Sequence, residues 1–503
     1  MISTFIRRLV PALLITVAAC GSVVQNPVSG KNERSAMSVA DEMKVGAEQH
    51  KQVLADYGVL QNPALQRYVS DIGQRLARQS QRPDLDWHFT VLDSPEINAF
   101  ALPGGYVYVT RGIMAYMDSE ADLAGVIGHE IGHVTARHGA QRATRQQTAG
   151  FGVLAATVLG AVLESQGVGG AGGLASQVSQ NVAAGYIASY SRDQELQADK
   201  LGADYLAASS YDPQNMVDVI EVLKNQERYA ADTARAQGKT APQGGGWLAS
   251  HPTNDQRLQQ IRQVVAGFKS KAPPGGRYMV DGQARYLKAI DGVAFGDGRE
   301  QGLVRGQNFY HEPLGIAMTA PAGWTVQNSA DAVALVNPQG DAGLVMKLVP
   351  PQAGNDHRQI LGQALKAQQG RSERLTINGL PATHFEGTAR NAQGQAQPLE
   401  VTLVDGPGNR TFLLGSAARD PQTLQRSERG LREATHSFRA LTPADRAAAR
   451  PWVIDTVPYP RGGFAQLARS SPLGDNAESQ LRLLNGVYVE GTPAVGQLVK
   501  VVR

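Results

Sequence analysis

A single cysteine, Cys20, stands in a chain of 503 residues, so there is no disulfide framework and the thiol needs another explanation. Charge is sparse and balanced: 48 Lys and Arg face 45 Asp and Glu, a net +3. No Lys/Arg run breaks that balance, which excludes the basic stripe of a nucleic-acid binder. Long apolar runs are missing too. The Gly/Ala-rich "TAGFGVLAATVLGAVLESQGVGGAGGLASQV" holds about 16 apolar residues, short of the roughly 20 that span a bilayer, and reads as a buried or interfacial helix. No long tandem repeat is present. The remaining composition, 42% hydrophobic and 18% charged, describes a soluble globular protein. Its length suits about two to four domains.

At the N-terminus, "MISTFIRRLVPALLITVAACGS" places Arg7 and Arg8 before an apolar run and then small residues, the pattern of a secretory signal peptide over residues 1–19. Its end, "VAAC", resembles a bacterial lipobox. That likeness makes Cys20 the lipidated first residue of the mature chain, with lipid chains as the membrane anchor, and Gly21 after it implies the outer membrane. Residues 20–35 read as a lipidated polar tether. From 36 to about 80 the apolar spacing is helical, then "WHFTVLDSP" and "GGYVYVTRG" alternate like strands. Helical stretches follow at 119–145 and 189–208. Residues 236–246 are a loop, and "HPTNDQRLQQIRQVV" is a further helix started by Pro252 or Thr253. This region, 36–270, makes one domain. "KAPPGGR" marks a boundary, and 271–299 reads as a linker. Residues 300–445 alternate short strands with helices expected at about 356–369 and 421–437, an α+β pattern. The segment 452–503 reads as strand, two short helices, strand.

"GHEIGHVTARH", residues 128–138, concentrates three histidines. Residues four apart share one helix face, so both His129 and His133 reach one cation. Glu130 lies beside that face, able to act on a water without ligating the metal. This is the H-E-x-x-H arrangement of zinc hydrolases, with Glu130 as general base. Gly125, Gly128 and Gly132 lie along one side of the same helix. Each costs about 1 kcal/mol of helix propensity relative to Ala, and together they imply an element packed unusually close. His138 falls half a turn from His129 while the helix continues. It is expected to point away from the metal and to serve the helix C-terminus. Catalytic zinc needs a third protein ligand. Downstream, "SRDQELQADKLGADYL" offers Glu195 and Asp199 on one face. Glu195 suits a ligand, and Asp199 suits an acceptor for the far nitrogen of a ligating histidine, with Ala198 allowing close approach of the two helices.

These residues resemble the gluzincin metalloproteases of the CAAX prenyl protease/HtpX/BepA group, metallopeptidase family forty-eight. "SPEINAFALPGGYVYVTRGIM", "HEIGHVTARH", "YSRDQELQADKLG" and "SHPTNDQRLQQI" look like that family's blocks in the same order, over roughly residues 28–268. The resemblance implies one zinc ion per chain on His129, His133 and Glu195, Glu130 as base, and "GGYVYVTRG" as the edge strand beside the cleft, able to hold an extended peptide. It also implies that His251, in "SHP", is a fourth ligand plugging the site or a donor to the oxyanion, although a loop histidine before proline can be purely structural. The transmembrane helices of some members are missing, as is a tetratricopeptide pattern. In the tail, "FAQLARSS", "QLRLLNGV" and "VGQLVKVV" look like parts of a LysM module, which implies peptidoglycan as a partner of 452–503. The usual Gly-Asp-Thr start is absent.

The fold expected is therefore multidomain α+β: a mainly helical zincin-type protease domain with a small sheet, an α+β accessory domain, and a small LysM-like βααβ module. The function expected is a lipid-anchored, periplasm-facing zinc endopeptidase acting on unfolded or misassembled envelope proteins. The alternative is a chaperone or assembly scaffold for outer-membrane proteins, its protease site normally shut.

Overall fold

The computed structural model describes residues 22–148, 190–236, 238, 247, 251, 255–271, 278–329, 332–354, 356–390 and 396–503. The signal peptide, Cys20, Pro252, Thr253 and nearly all of the Gly/Ala-rich insert lie outside the described residues.

Local signals start the first helices. In α1 (Val39–Tyr57) Ser38 and Asp41 form a capping box, which satisfies two otherwise orphaned N–H groups. In α2 (Pro63–Ala77) Asn62 caps and Pro63 takes the first position, where its missing N–H costs nothing. Leu65, Val69, Ile72 and Leu76 of α2 are buried, the apolar stripe that a helix turns to a core.

Residues 22–35, expected within the tether, form a hairpin, β1 (Ser22–Gln25) paired antiparallel with β2 (Asn32–Ser35). It docks on the domain: Asn26 Nδ2 donates to the Ala136 carbonyl at 3.2 Å, and Gln141 Nε2 donates to Glu33 at 3.0 Å. A three-stranded sheet follows, formed by β3 (His88–Leu92), β4 (Ala99–Leu102) and β5 (Tyr106–Thr110) in the order β3-β5-β4. The expected edge strand, "YVYVT", is therefore the central one. It pairs parallel with β3 and antiparallel with β4, so the edges are β3 and β4. The sequence pattern hid this because the short "AFAL" of β4 is nearly all apolar and buried, without alternation.

Helix α3 (Arg111–Tyr116) leads to α4 (Glu120–Thr135), which is buried at all its positions. The helical stretch expected to run to 145 breaks at Ala136 and Arg137, and α5 (His138–Thr148) starts afresh. Around α4 stand α6 (Arg192–Ala208), α7 (Gln214–Ala236) and α8 (Asp255–Lys271). Residues expected within a linker instead complete the core: α9 (Gln283–Ile290) buries Tyr286, Leu287 and Ile290, and β6 (Ala294–Phe295) pairs with a strand of the tail.

The α+β region has its own core around Phe309, Met318, Phe412 and Phe438. Strands β7 (Leu303–Arg305), β8 (Asn308–His311) and β9 (Ile316–Thr319) belong to a four-stranded sheet. A seven-stranded antiparallel sheet contains β10 (Thr325–Asn328), β11 (Val333–Val336), β12 (Ala342–Leu348), β13 (Ala367–Ile377), β14 (Leu380–Arg390), β15 (Ala396–Gly406) and β16 (Arg410–Ala418). One expected helix, α10 (Pro421–His436), covers it. The other, expected over 356–369, is helical only through Ala364, and from Ala367 the chain is the edge strand β13. Its polar, exposed residues satisfy a helical pattern equally well, and pairing with β14 decides the matter.

The tail runs β17 (Trp452–Pro458), α11 (Gly463–Ala468), α12 (Ala477–Leu484) and β18 (Leu498–Val502), with β17 and β18 antiparallel. It shares the first domain's core through Ile454, Phe464, Leu481 and Val501. Buried Lys500 pins it there, donating to the Ala115 and Met117 carbonyls at 3.0 and 2.6 Å and pairing with Asp118 at 2.8 Å. Among the described residues no helix is long and apolar enough to cross a membrane.

Candidate metal centre

Close backbone contact positions the site. A Cβ added at Gly132 would stand 3.0 Å from the Ala198 carbonyl oxygen and 3.1 Å from its Cα, so α4 and α6 touch where the chain has no side chain on one of them. Gly128 meets Gly202 in the same way, at 3.4 Å. This contact brings His129 and His133 of α4 beside Glu195 and Asp199 of α6, all at most 1% exposed.

His129 Nε2 and His133 Nε2 stand 3.0 Å apart. Glu195 Oε2 is 3.6 Å from the first, and Glu195 Oε1 is 3.4 Å from the second. His251 completes the group. Its Nδ1 lies 3.1 Å from His129 Nε2 and 2.9 Å from Glu195 Oε1. One ligand atom from each of the four residues falls within 4.8 Å of the others. Ligands held about 2.0–2.1 Å from a tetrahedral zinc lie roughly 3.4 Å apart, so the spacing fits.

The outer nitrogens strengthen that fit. Asp199 Oδ1, 2.9 Å from His129 Nδ1, can only accept, so His129 carries its hydrogen there and leaves Nε2 bare toward the centre. His133 Nδ1 lies 2.9 Å from His138 Nδ1. Burial holds the His133 pKa well below the usual histidine value, against the pull of Glu195, which keeps it a neutral imidazole. His129 Nε2 and His133 Nε2 face each other at 3.0 Å, and two lone pairs at that distance are unfavourable without a proton or a cation between them. Three nitrogens and a carboxylate suit zinc.

Glu130 is fully buried. Trp247 Nε1–H donates to its Oε1 at 3.1 Å, while among the described residues its Oε2 has no hydrogen-bond partner. His251 Nε2, likewise without one, stands 3.5 Å from Glu130 Oε1. Burial lowers the His251 pKa, but the Glu195 and Glu130 carboxylates outweigh it and raise the value overall.

Sequence reasoning misplaced one residue and missed three. His138 does not continue down the helix to its C-terminus: Arg137, with φ 59°, turns the chain so that His138 backs His133. Arg257 of α8 was missed. It grips Asp199 at 2.6 and 2.7 Å and meets Glu195 Oε2 at 2.9 Å. Burial would raise the Asp199 pKa, yet this guanidinium holds it below the usual carboxylate range. A signal existed: Arg257 shares the buried face of α8 with Ile261, four residues on. Trp247 and Tyr190 were missed as well. The Tyr190 ring stacks on His133 at 3.9 Å, with the Arg142 guanidinium 5.0 Å above it. A cavity of about 160 Å³ beside His133 and Tyr190 reaches Leu102 and Pro103 at the end of edge strand β4.

Residues 63–265 match the model of Peptidase family M48. A β-barrel assembly-enhancing protease of Yersinia pestis is 30% identical over 291 residues, 55% of this chain and 57% of that one. The protein of the same name in Escherichia coli (strain K12) is 29% identical over 240 residues, 47% of this chain and 46% of that one. The mitochondrial metalloendopeptidase OMA1 of Schizosaccharomyces pombe is 28% identical over 243 residues, 47% of this chain and 65% of that one. The chain spans about half the length of the first curated relatives it matches.

Proposed function

We propose, from a chain that carries a Peptidase family M48 domain at residues 63–265, that the protein is a zinc-dependent endopeptidase acting on misfolded or stalled proteins of the bacterial cell envelope. The observation that carries this reading is the cluster itself: His129 Nε2 and His133 Nε2 stand 3.0 Å apart with Glu195 beside both. These three residues hold the metal, and Asp199 orients His129. A bound zinc ion supplies Lewis acidity that polarises a carbonyl and makes a nearby water more acidic. Glu130 takes the attacking water's proton on Oε2 and returns it to the leaving amine, while Trp247 holds its other oxygen. β4, an edge strand of its sheet, would bind an extended substrate through main-chain hydrogen bonds.

His251 acts as a plug in this reading. Its Nδ1, 3.1 Å from His129 Nε2 and 2.9 Å from Glu195 Oε1, takes the place of a fourth ligand and so competes with water and substrate. The same observation favours the second reading, an assembly scaffold for outer-membrane proteins with its site normally shut. Casein digestion with and without a chelator separates the two readings, and His251→Ala gives a sign. A faster variant at matched zinc occupancy supports the plug, and a fall on the order of a hundredfold marks an oxyanion donor instead.

The rest of the expectation belongs to the same proposal. Cys20 carries the lipid, and the protein faces the periplasm from the outer membrane, which accords with relatives named for β-barrel assembly. Cys20→Ser should move the protein from the detergent phase to the aqueous phase. The βααβ order of 452–503 accords with a LysM-like module binding peptidoglycan, and co-sedimentation with purified wall material tests it.

A further inference from the structure

On its outer side His133 meets no carboxylate. It meets a second histidine and then an amide: His133 Nδ1 to His138 Nδ1 is 2.9 Å, and His138 Nε2 to Gln197 Oε1 is 2.9 Å. We propose that His138 and Gln197 are positioning residues for the zinc ligand His133, a neutral relay that fixes which of its nitrogens is open to the metal. The inference rests on the reading of His133 as a ligand.

The hydrogens follow from what each atom can do. Two ring nitrogens 2.9 Å apart need one N–H and one lone pair between them. Gln197 Oε1 only accepts, so His138 carries its hydrogen on Nε2 and offers a lone pair at Nδ1. His133 then donates from Nδ1, and its Nε2 is bare toward the centre. With the Gln197 amide turned over, each hydrogen shifts by one place and His133 Nε2 is protonated, closed to any cation. The orientation of one side-chain amide thus decides whether the ligand is usable.

The backbone is strained to make this contact. Arg137 sits at φ 59°, a left-handed conformation that is unfavourable for a non-glycine residue. The surroundings impose it: Arg137 Nε donates to Glu42 Oε1 at 2.6 Å and its Nη2 donates to the Met37 carbonyl at 2.9 Å. Glu42 is itself held by Arg82 at 2.9 Å. Strain kept in place by a buried ion cluster marks a built feature, and its product is His138 seated on His133. The two ligands of α4 are also set differently. Asp199 and Arg257 orient His129 with charge, whereas the relay orients His133 without adding any.

The test is the zinc dissociation constant, read by chelator competition on the full chain, with unfolding of each metal-free form measured alongside. Gln197→Leu removes the acceptor and should weaken zinc binding about 10–100-fold, while metal-free unfolding stays close to wild type. Gln197→Glu keeps an acceptor and should return affinity to within a few-fold of wild type. His138→Phe keeps an aromatic ring, slightly larger and without nitrogens, and should weaken binding at least as much as Gln197→Leu. A purely structural role would move metal-free unfolding and leave zinc affinity alone. Wild-type affinity in both Gln197→Leu and His138→Phe, or a Gln197→Glu as weak as Gln197→Leu, overturns the relay. Failure of the wild-type chain to bind zinc overturns the metal centre itself, a separate result.

Discussion

From Glu42 to Arg257 the interior is full of ionisable groups: Glu42, Arg82, Arg111, His129, Glu195, Asp199 and Arg257 are all under 10% exposed. From Leu303 to Ala440 the buried polar side chains among the described residues are Asn337, Thr402, Thr423 and Ser427, none of them ionisable. Both regions have large apolar cores, so the difference is not one of stability. Taking a charge out of water costs several kcal/mol even when it finds a partner, and a region that only has to hold its shape has no use for that expense. In the first region part of it lies at one centre, where Arg257 meets two buried carboxylates and His138 lies against His133. The second keeps its core apolar.

The most direct way to sharpen this contrast is to remove one buried group that has a chemical task and little structural one. Glu130→Gln keeps the shape and the acceptor for Trp247. It should lower peptide hydrolysis by about 10²–10⁴-fold while metal analysis still finds about one zinc per chain. Loss of zinc in this variant would mean that Glu130 is a ligand. Glu195→Ala should lose zinc, and full occupancy there would remove Glu195 from the ligand set.

Breaking the compensation should have the next largest effect. Arg257→Leu leaves Asp199 and Glu195 buried without their cation. Removing one partner of a buried pair costs about 3–5 kcal/mol, to be read from guanidinium denaturation, and zinc affinity should fall with it. The matching change in the apolar region is Leu414→Ala, at a position 1% exposed. A cavity there should cost about 2–5 kcal/mol without altering zinc affinity. If Leu414→Ala moved zinc affinity as far as Arg257→Leu, the two regions would not be independent and the contrast would fail.

How much of this was readable in advance follows the same division. His129, His133, Glu195 and Asp199 were legible because spacing of four on a helix is a geometric statement, and the small residues between them announced the close contact of α4 and α6. His138 was not, since an arginine gives no hint of a left-handed turn, and it is Glu42, ninety-five positions away, with the Met37 carbonyl, that holds Arg137 in it. Arg257 was not picked out, although it lies on the same face of its helix as the apolar Ile261, four residues on. In the second region β12, β15 and β16 were legible from their apolar runs, whereas β13 was not, because an edge strand with one covered face can be as polar as a surface helix.

The smallest expected effect concerns a carboxyl with no part in the metal centre. Asp122, in the first turn of α4, has its pKa pushed up to about 7 by burial and by the neighbouring Asp118. The folded state therefore holds a proton from about pH 4 to 7 that the unfolded chain has released. Stability must fall as pH rises through that window and level off above it. In Asp122→Asn this slope should disappear. The variant's amide can still accept from the Asp118 N–H, and Asn215, which now donates to Asp122 at 2.7 Å, can turn its own amide to accept. Wild type and variant should be similar near pH 5, with the variant more stable by on the order of 2 kcal/mol at pH 8. The second region, with no ionisable group in its core, should contribute nothing to the difference. Thermal unfolding at both pH values reads it directly, and parallel pH profiles for the two proteins would show that Asp122 is ionised in the folded state and that burial near α4 is less costly than the contrast requires.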